Sequence, residues 1–355
     1  MAAPLPDDRT TPAAFRGCLL GGAIGDALGA PIEFDDLATI RRRHGPAGLT
    51  DFEAAYGRRG AITDDTQLTL FTAEGLIRAF NRWTGRGLAS VEAVVHGAYR
   101  RWLRTQGLGR DADHTYDGWL MDQRALHARR APGATCLSAL EGGRRGTREE
   151  PINDSKGCGG VMRIAPVGLV AEAPFDLGGA LAALTHGHPT GWLPAAWLAE
   201  VIGLMVRGEG LAEAAQLALV PLRRAPGHEE TLRAVERALR LAADGHPSAR
   251  QVESLGRGWT AEEAVAIGLY CALVATDFRH GVLLAVNHSG DSDSTGSIAG
   301  SLLGLVHGEP GLPAAWRQQV ELAGVIGTVA DDLWQVRFGT RAPGEGYEEE
   351  RYPGV

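Results

Sequence analysis

The chain is predicted to be all-α. Three observations carry that reading: apolar residues recur at spacings of three and four over eight segments, alternating β-branched runs bounded by turns are nearly absent, and the segments are rich in Ala, Leu and Arg with Gly or Pro between them. In chain order, the first segment, 14–28, places Phe15, Cys18 and Leu19 on one face. The second, 65–80, repeats the pattern with Leu68, Phe71, Leu76 and Phe80, and the third, 90–104, with Val91, Val94, Val95, Ala98, Tyr99 and Trp102. Segment 193–207 uses Leu193, Ala196, Trp197, Val201 and Leu204; 229–243 uses Leu232, Val235 and Leu239. The last three are 261–276 through Ala264, Val265 and Leu269, 295–307 through Ile298, Ala299, Leu302 and Leu303, and 314–336 through Trp316, Val320, Ala323 and Ile326. No low-complexity linker and no repeat of 20 to 50 residues divides the chain, so one compact domain over 1–344 is expected, with 345–355 a loose C-terminal tail.

Composition narrows the function classes. With 355 residues, 44% hydrophobic and 22% charged, the chain can bury a sizeable core, and disorder is excluded. The net charge is -8 and no long basic run occurs, which argues against a surface that tracks nucleic-acid phosphates. Cys18, Cys136, Cys158 and Cys271 form no C-x-x-C pair, so neither a disulfide framework nor a zinc knuckle is indicated, and a reducing cytoplasm fits. The N-terminus lacks the basic start and apolar core of a signal peptide, and no run of about 18 uninterrupted apolar residues occurs, so neither secretion nor membrane insertion is expected. Of 35 basic residues one is a lysine, Lys156, a hint that an ammonium group is wanted there.

Two acidic stretches stand at the starts of predicted helices. SGDSDST, 289–295, puts Asp291 and Asp293 among the hydroxyls of Ser294 and Thr295, and AITDDTQLTL, 61–70, puts Thr63 before Asp64 and Asp65. Each alone reads as an N-cap, since short polar side chains accept hydrogen bonds from the unpaired first amides of a helix. Together they carry more carboxylates than capping needs, and such a cluster repels itself unless a cation intervenes. Hard oxygen donors of this kind suit Mg²⁺. Asp26 lies in a glycine-rich apolar helix, where a charge is costly without a partner, so it reads either as a ligand-binding group or as a buried acid bonded to backbone amides. Glu33 follows Pro31 as a third acidic element. The stretch NDSKGCGGVMRIAPVGL offers Ser155, Lys156, Gly157, Cys158, Gly159 and Gly160 in a loop whose amides can cradle phosphate, although it is neither a Walker loop nor a Rossmann loop. In LTHGHPTGW, His186 and His188 are two apart, a spacing unsuited to H-E-x-x-H zinc chemistry; His186 reads as a ligand contact or as a structural histidine.

Taken in order, GDALGAPIEF, TDDT, KGCGGVMRIAP, THGHP and GDSDSTGSIAG resemble the motifs of the ADP-ribosylglycohydrolase family, of the dinitrogenase-reductase-activating type, from about Phe15 to His307. The resemblance implies an orthogonal helical bundle with a central cleft holding two Mg²⁺ or Mn²⁺ ions, and hydrolysis of the bond joining ADP-ribose to an acceptor. It assigns Thr63, Asp64, Asp65, Asp291, Asp293 and Ser294 to the metals, with Ser294 where relatives often carry threonine. It assigns Asp26, Ser155, Lys156, Gly157, Cys158, Gly159, Gly160 and His186 to the ligand, and Glu33 or Asp293 to proton transfer. Cys158 departs from the small polar residue of several relatives. The implied acceptor is arginine on a protein, with O-linked and nucleic-acid-linked ADP-ribose open, ADP-ribose as product, and a monomeric enzyme; loop 110–116 is the expected seat of acceptor choice. Two alternatives remain: a non-catalytic Mg²⁺ and ADP-ribose sensor, and a terpene-synthase-like enzyme, whose D-D-x-x-D spacing is not met because Leu68 stands at the required position.

Overall fold

Thr11 starts the first helix. Its hydroxyl accepts the Ala14 N–H, Pro12 fills the first turn, and α1 runs Pro12–Gly29 in a computed structural model that describes residues 8–109, 117–341 and 344–354. Asp36 caps α2, Leu37–His44, and a two-residue hairpin of β1, Ala54–Ala55, and β2, Arg58–Arg59, turns through Tyr56 and Gly57, both at positive φ. Thr63 caps α3, Asp64–Arg86, which ends on Gly87 in the left-handed conformation, and α4, Val91–Thr105, packs along it. The middle of the chain forms α5, Ala134–Glu141, α6, Ala165–Val170, α7, Pro174–Ala183, and α8, Pro189–Val206, a layer in which α8 packs on α6 and α7. Helices α9, Leu211–Leu217, α10, Leu219–Arg224, α11, Glu229–Ala243, and α12, Ala249–Ser254, follow around its outside. The chain then enters α13, Ala261–Leu273, α14, Phe278–Val286, α15, Ser292–His307, α16, Ala314–Gln319, and α17, Ala323–Phe338. The fold is all-α apart from the hairpin, and its core includes the fully buried Trp102, Trp197, Phe15 and Phe71.

The central contact is α1 against α15, antiparallel and closer than side chains permit. A methyl group added at Gly17, Gly21 or Gly25 would lie 2.2, 2.3 or 1.9 Å from the carbonyl oxygens of Gly304, Gly300 and Gly296. The backbones therefore touch at every fourth residue, and the last step of the ladder brings Gly29 against Ser292 and Asp293. This register sets the start of α15 beside the end of α1, where the acidic residues of both helices lie. We expect Gly300→Ala, whose methyl would meet the Gly21 oxygen at 2.1 Å, to cost about 3 kcal/mol as overpacking, read from the denaturant midpoint.

Four features differ from the sequence expectations. The predicted helix 314–336 is two helices, because Leu322 sits at φ 59 and Glu321 is drawn inward to the Ile62 amide and the Arg130 guanidinium. The predicted helix 261–276 stops at Leu273, and α2, α5, α7, α9, α10, α12 and α14, each ten residues or shorter, lie outside the predicted segments. The expected loose tail is docked: Tyr352 is fully buried with its hydroxyl on Asp332, and Asn81 of α3 holds the carbonyls of Tyr347 and Tyr352. Finally, α8 is long and apolar enough to cross a membrane, but 83% of it is buried inside the protein.

Candidate active site

Three chain segments bring the acidic residues together, and each is fixed by bonds that leave carboxylates free to face one cavity. At the start of α3, the Asp26 carboxylate accepts the Thr63 and Thr66 amides at 3.0 and 3.1 Å. Glu321 accepts the Ile62 N–H, and Arg130 donates to the Ile62 carbonyl at 2.8 Å while paired with Glu321, so the strand entering α3 is clamped on both sides. At the start of α15, the Asp291 amide is held by the Arg257 carbonyl at 2.8 Å, and Asp293 accepts the Ser294 amide at 3.0 Å. Glu33 lies on the turn that leaves α1, next to Phe34, which stacks on Trp259 with ring centroids 5.8 Å apart.

Glu33, Asp64, Asp65, Asp291, Asp293 and Ser294 line a cavity of about 210 Å³ together with Gly133, Thr135, Cys136, Gly157, Cys158, Gly159, Met162, His186 and Trp259. No lysine or arginine lines it among the described residues. Every one of the five carboxylates is at most 6% exposed. One oxygen of Asp65 and one of Glu33 are buried without a hydrogen-bond partner, and ligand atoms of Glu33, Asp291 and Asp293 fall within 4.8 Å of one another. Burial, then the charge of Asp293, pushes Asp26 up to about 7 and Glu33 up to about 10, and holds Asp64 and Asp65 well above the usual carboxylate range. Orphaned oxygens in a self-repelling cluster are what divalent cations would satisfy, so the donor set fits the cations implied by the sequence.

The hydroxyl on the cavity wall at the start of α15 is that of Ser294. Thr295 is fully buried, with its hydroxyl among the Ala285 and Asp291 carbonyls and the His288 ring. Thr63 is equally buried, and its hydroxyl accepts the Asp65 amide. On the opposite wall, Arg163 donates to the Thr185 oxygen at 2.7 Å, and of the two acceptors open to the Thr185 hydroxyl proton, His186 Nδ1 at 2.9 Å is nearer than the Ala182 carbonyl at 3.4 Å, so we assign the bond to His186. His186 Nε2 therefore carries the ring proton and faces Gly157 and Gly159. Burial, and then Arg163, pulls its pKa down to about 3, so the ring is a neutral donor. A methyl group on Gly159 would meet the Cys136 sulfur at 2.7 Å, which explains the glycine.

The structure brings Asp64, Asp65, Asp291, Asp293 and Ser294 together with Glu33, Gly157, Cys158, Gly159 and His186, leaves the metal-assigned Thr63 buried behind the cavity as the cap of α3, and sets four residues assigned to the ligand off the cavity wall. Asp26 is fully buried with its oxygens committed to Thr63 and Thr66, so it braces α3. Ser155 accepts the Gly157 amide and bonds Thr135, shaping the loop, and Gly160 packs against the Gly191 carbonyl. Lys156 turns away to Glu230 at 2.6 Å, which in turn bonds Thr190. An exposed pair of this kind contributes at most about 1 kcal/mol, so Lys156→Ala should leave both stability and KM for an ADP-ribosyl substrate close to wild type, checked by steady-state kinetics. Loop 110–116 lies outside the described residues. Thr135, Cys136, Met162 and Trp259 join the cavity with no sequence signal of their own, because nothing in their local pattern tells which face of the fold they reach.

The fold and the site define a class: an all-α protein whose cleft is walled by carboxylates from two helix starts and one turn, opposite a glycine loop and a neutral histidine. The sequence profile of ADP-ribosylglycohydrolase matches residues 7–343, and the chain belongs to that family. Among its relatives is the ADP-ribosyl-[dinitrogen reductase] glycohydrolase of Rhodospirillum rubrum, 26% identical and covering 86% of this chain and 90% of that one. Another is the ADP-ribosylarginine hydrolase Tri1 of Pseudomonas putida (strain GB-1), 24% identical over 90% of this chain and 77% of the other. A solved structure described as an ADP-ribosylglycohydrolase-related protein complex superposes with a TM-score of 0.67 at 26% identity, covering 94% of this chain and 99% of that one.

Proposed function

We propose that the protein hydrolyses the glycosidic bond joining ADP-ribose to an acceptor, with arginine-linked ADP-ribose on a protein as substrate and two Mg²⁺ or Mn²⁺ ions as cofactors. The observation that carries this reading is the ring of five buried carboxylates, two with unpartnered oxygens, around a cavity with no lysine or arginine among the described residues. Two relatives named for removing ADP-ribose, one of them from arginine, support the choice of bond and acceptor.

Thr63, Asp64, Asp65, Asp291, Asp293 and Ser294 are the residues that would hold the cations. Bound divalent cations would supply positive charge that fixes ribose hydroxyls and acidifies water. The cavity, about 210 Å³, is smaller than the roughly 300–1,000 Å³ of sites for larger ligands, so it suits one sugar ring, with the diphosphate running along Gly157–Gly159 at its wall. His186 Nε2–H donates to an oxygen of that ligand. Bound cations would offset the repulsion that keeps Glu33 protonated in the metal-free cluster; ionised in that way, Glu33, on the turn above the cavity with a free oxygen, takes the proton of the attacking water as the water oxygen bonds the anomeric carbon. The carbon–nitrogen bond breaks as positive charge builds on the ribose, which the surrounding carboxylates favour, and the departing guanidine nitrogen takes up, through solvent, the proton that Glu33 gained. Four unpaired cysteines are in keeping with a reducing cytoplasm as the place of this reaction.

The experiment is a substrate panel: ADP-ribosylated arginine, serine and nucleic-acid substrates with the purified protein and Mg²⁺, with released ADP-ribose as the readout. Release from the arginine substrate, dependent on a divalent cation, is expected. Binding of ADP-ribose with no release from any substrate would make the protein a sensor and overturn the reading.

A further inference from the structure

We propose that Cys158 is itself a cation ligand, so that the cleft takes a borderline-soft divalent ion such as Zn²⁺ or Cd²⁺ through sulfur beside its oxygen donors. This rests on the reading that the cleft holds divalent cations, and extends it to metal choice. The Cys158 sulfur lies 2.8 Å from an Asp291 oxygen and 3.7 Å from the Ser294 hydroxyl. Ser294 is in turn 3.4 Å from one oxygen of Asp65, whose other oxygen is buried and without a partner. Sulfur, hydroxyl and two carboxylates thus form one continuous donor patch on the cavity wall.

The sulfur is held there by its backbone. The Cys158 carbonyl accepts the Val161 and Met162 amides at 2.9 and 3.1 Å, and the adjoining Gly157 is bridged to Thr260. Cys136, the other cysteine on this cavity, sits 3.5 Å from the Arg163 guanidinium, whose charge opposes a cation there. Cys18 and Cys271 are fully buried elsewhere in the core.

Soft sulfur ligands favour Zn²⁺ and its neighbours over Mg²⁺, which prefers oxygen and keeps its water. On binding, the S–H bond breaks, its proton passes to the solvent buffer, and the sulfur's electron pair bonds the ion. No electron transfer is involved. Carboxylates alone would rank divalent ions by charge and size; of the two sulfurs beside Ser294, the Met162 thioether at 3.8 Å from its hydroxyl is a weak neutral donor, and the Cys158 thiol is the one that can bind as an anion and add a strong preference for soft ions.

The test titrates Cd²⁺ into the metal-free full-length protein and follows the ultraviolet thiolate-to-cadmium absorbance, with Mn²⁺ binding measured in parallel by electron paramagnetic resonance. The absorbance should appear in the wild type, persist in Cys136→Ser and vanish in Cys158→Ser, while Mn²⁺ still binds Cys158→Ser. The preference for Cd²⁺ over Mn²⁺ should fall about 10- to 100-fold in Cys158→Ser. In the unsubstituted protein, Cd²⁺ should also protect Cys158 from alkylation, a readout that needs no variant to fold. Bound Mn²⁺ with no thiolate absorbance, or with absorbance that survives Cys158→Ser, overturns the sulfur ligand and leaves the oxygen site standing. Failure of Mn²⁺ to bind the wild type as well would bring down both.

Discussion

Asp293→Asn should reduce turnover by on the order of a thousandfold while making the cation-free protein more stable. Asp293 is the charge at the centre of the cluster: after burial, it is the leading cause that raises Asp26, Glu33, Asp64 and Asp65. An amide of the same shape still accepts the Ser294 N–H that Asp293 accepts now at 3.0 Å, so the start of α15 keeps its bond. What disappears is the repulsion that, after burial, raises four neighbouring carboxyls, so the cation-free fold gains stability. That same charge is what would hold cations and favour positive charge on the ribose, so the chemistry suffers the full loss. Kinetics and a thermal melt without added metal check both halves. Wild-type turnover would remove Asp293 from the machinery, and a lowered melting temperature would mean that the cluster is not held against its own repulsion.

The second large effect joins pH to cations. A carboxyl whose folded-state pKa lies above its unfolded value of about 4 binds more protons folded than unfolded between those two values, so folding loses stability as pH rises through that window. Asp26 at about 7 and Glu33 at about 10 open windows from about 4 to 7 and from about 4 to 10, and Asp64, Asp65 and Asp293 shift the same way. The metal-free protein should therefore melt at a lower temperature at pH 8 than at pH 5.5. Saturating Mg²⁺ or Mn²⁺ should raise the melting temperature strongly at pH 8 and little at pH 5.5, where protons already occupy the carboxylates. A shift independent of pH would place the ions away from this cluster.

Much of this site was legible in the sequence because its residues sit at helix starts. TDDT and SGDSDST advertise both a cap and a surplus of carboxylates, and the structure places Thr63 and Asp291 as caps of α3 and α15 with the remaining acids turned to the cavity. Ser294 against Thr295 was undecidable from order alone, since only the turn of α15 determines which hydroxyl faces out of the core. Asp26, Ser155, Lys156 and Gly160 lie off the cavity wall for a common reason: a motif's neighbours share its stretch of chain but not its face. Their partners, Thr66, Thr135, Glu230 and Gly191, lie 20 to 74 positions away, beyond any local pattern.

Local sequence by itself determined the helical class, the main helices and the acid-rich helix starts, because periodicity and capping act within a few residues. It also determined the glycines, though not their purpose. The tertiary structure decided that Gly17, Gly21 and Gly25 meet Gly304, Gly300 and Gly296, that the tail docks through Tyr352, and that the carboxylates of three segments share one cavity. Those outcomes depend on contacts between residues hundreds of positions apart, whose energies appear only when the helices have packed.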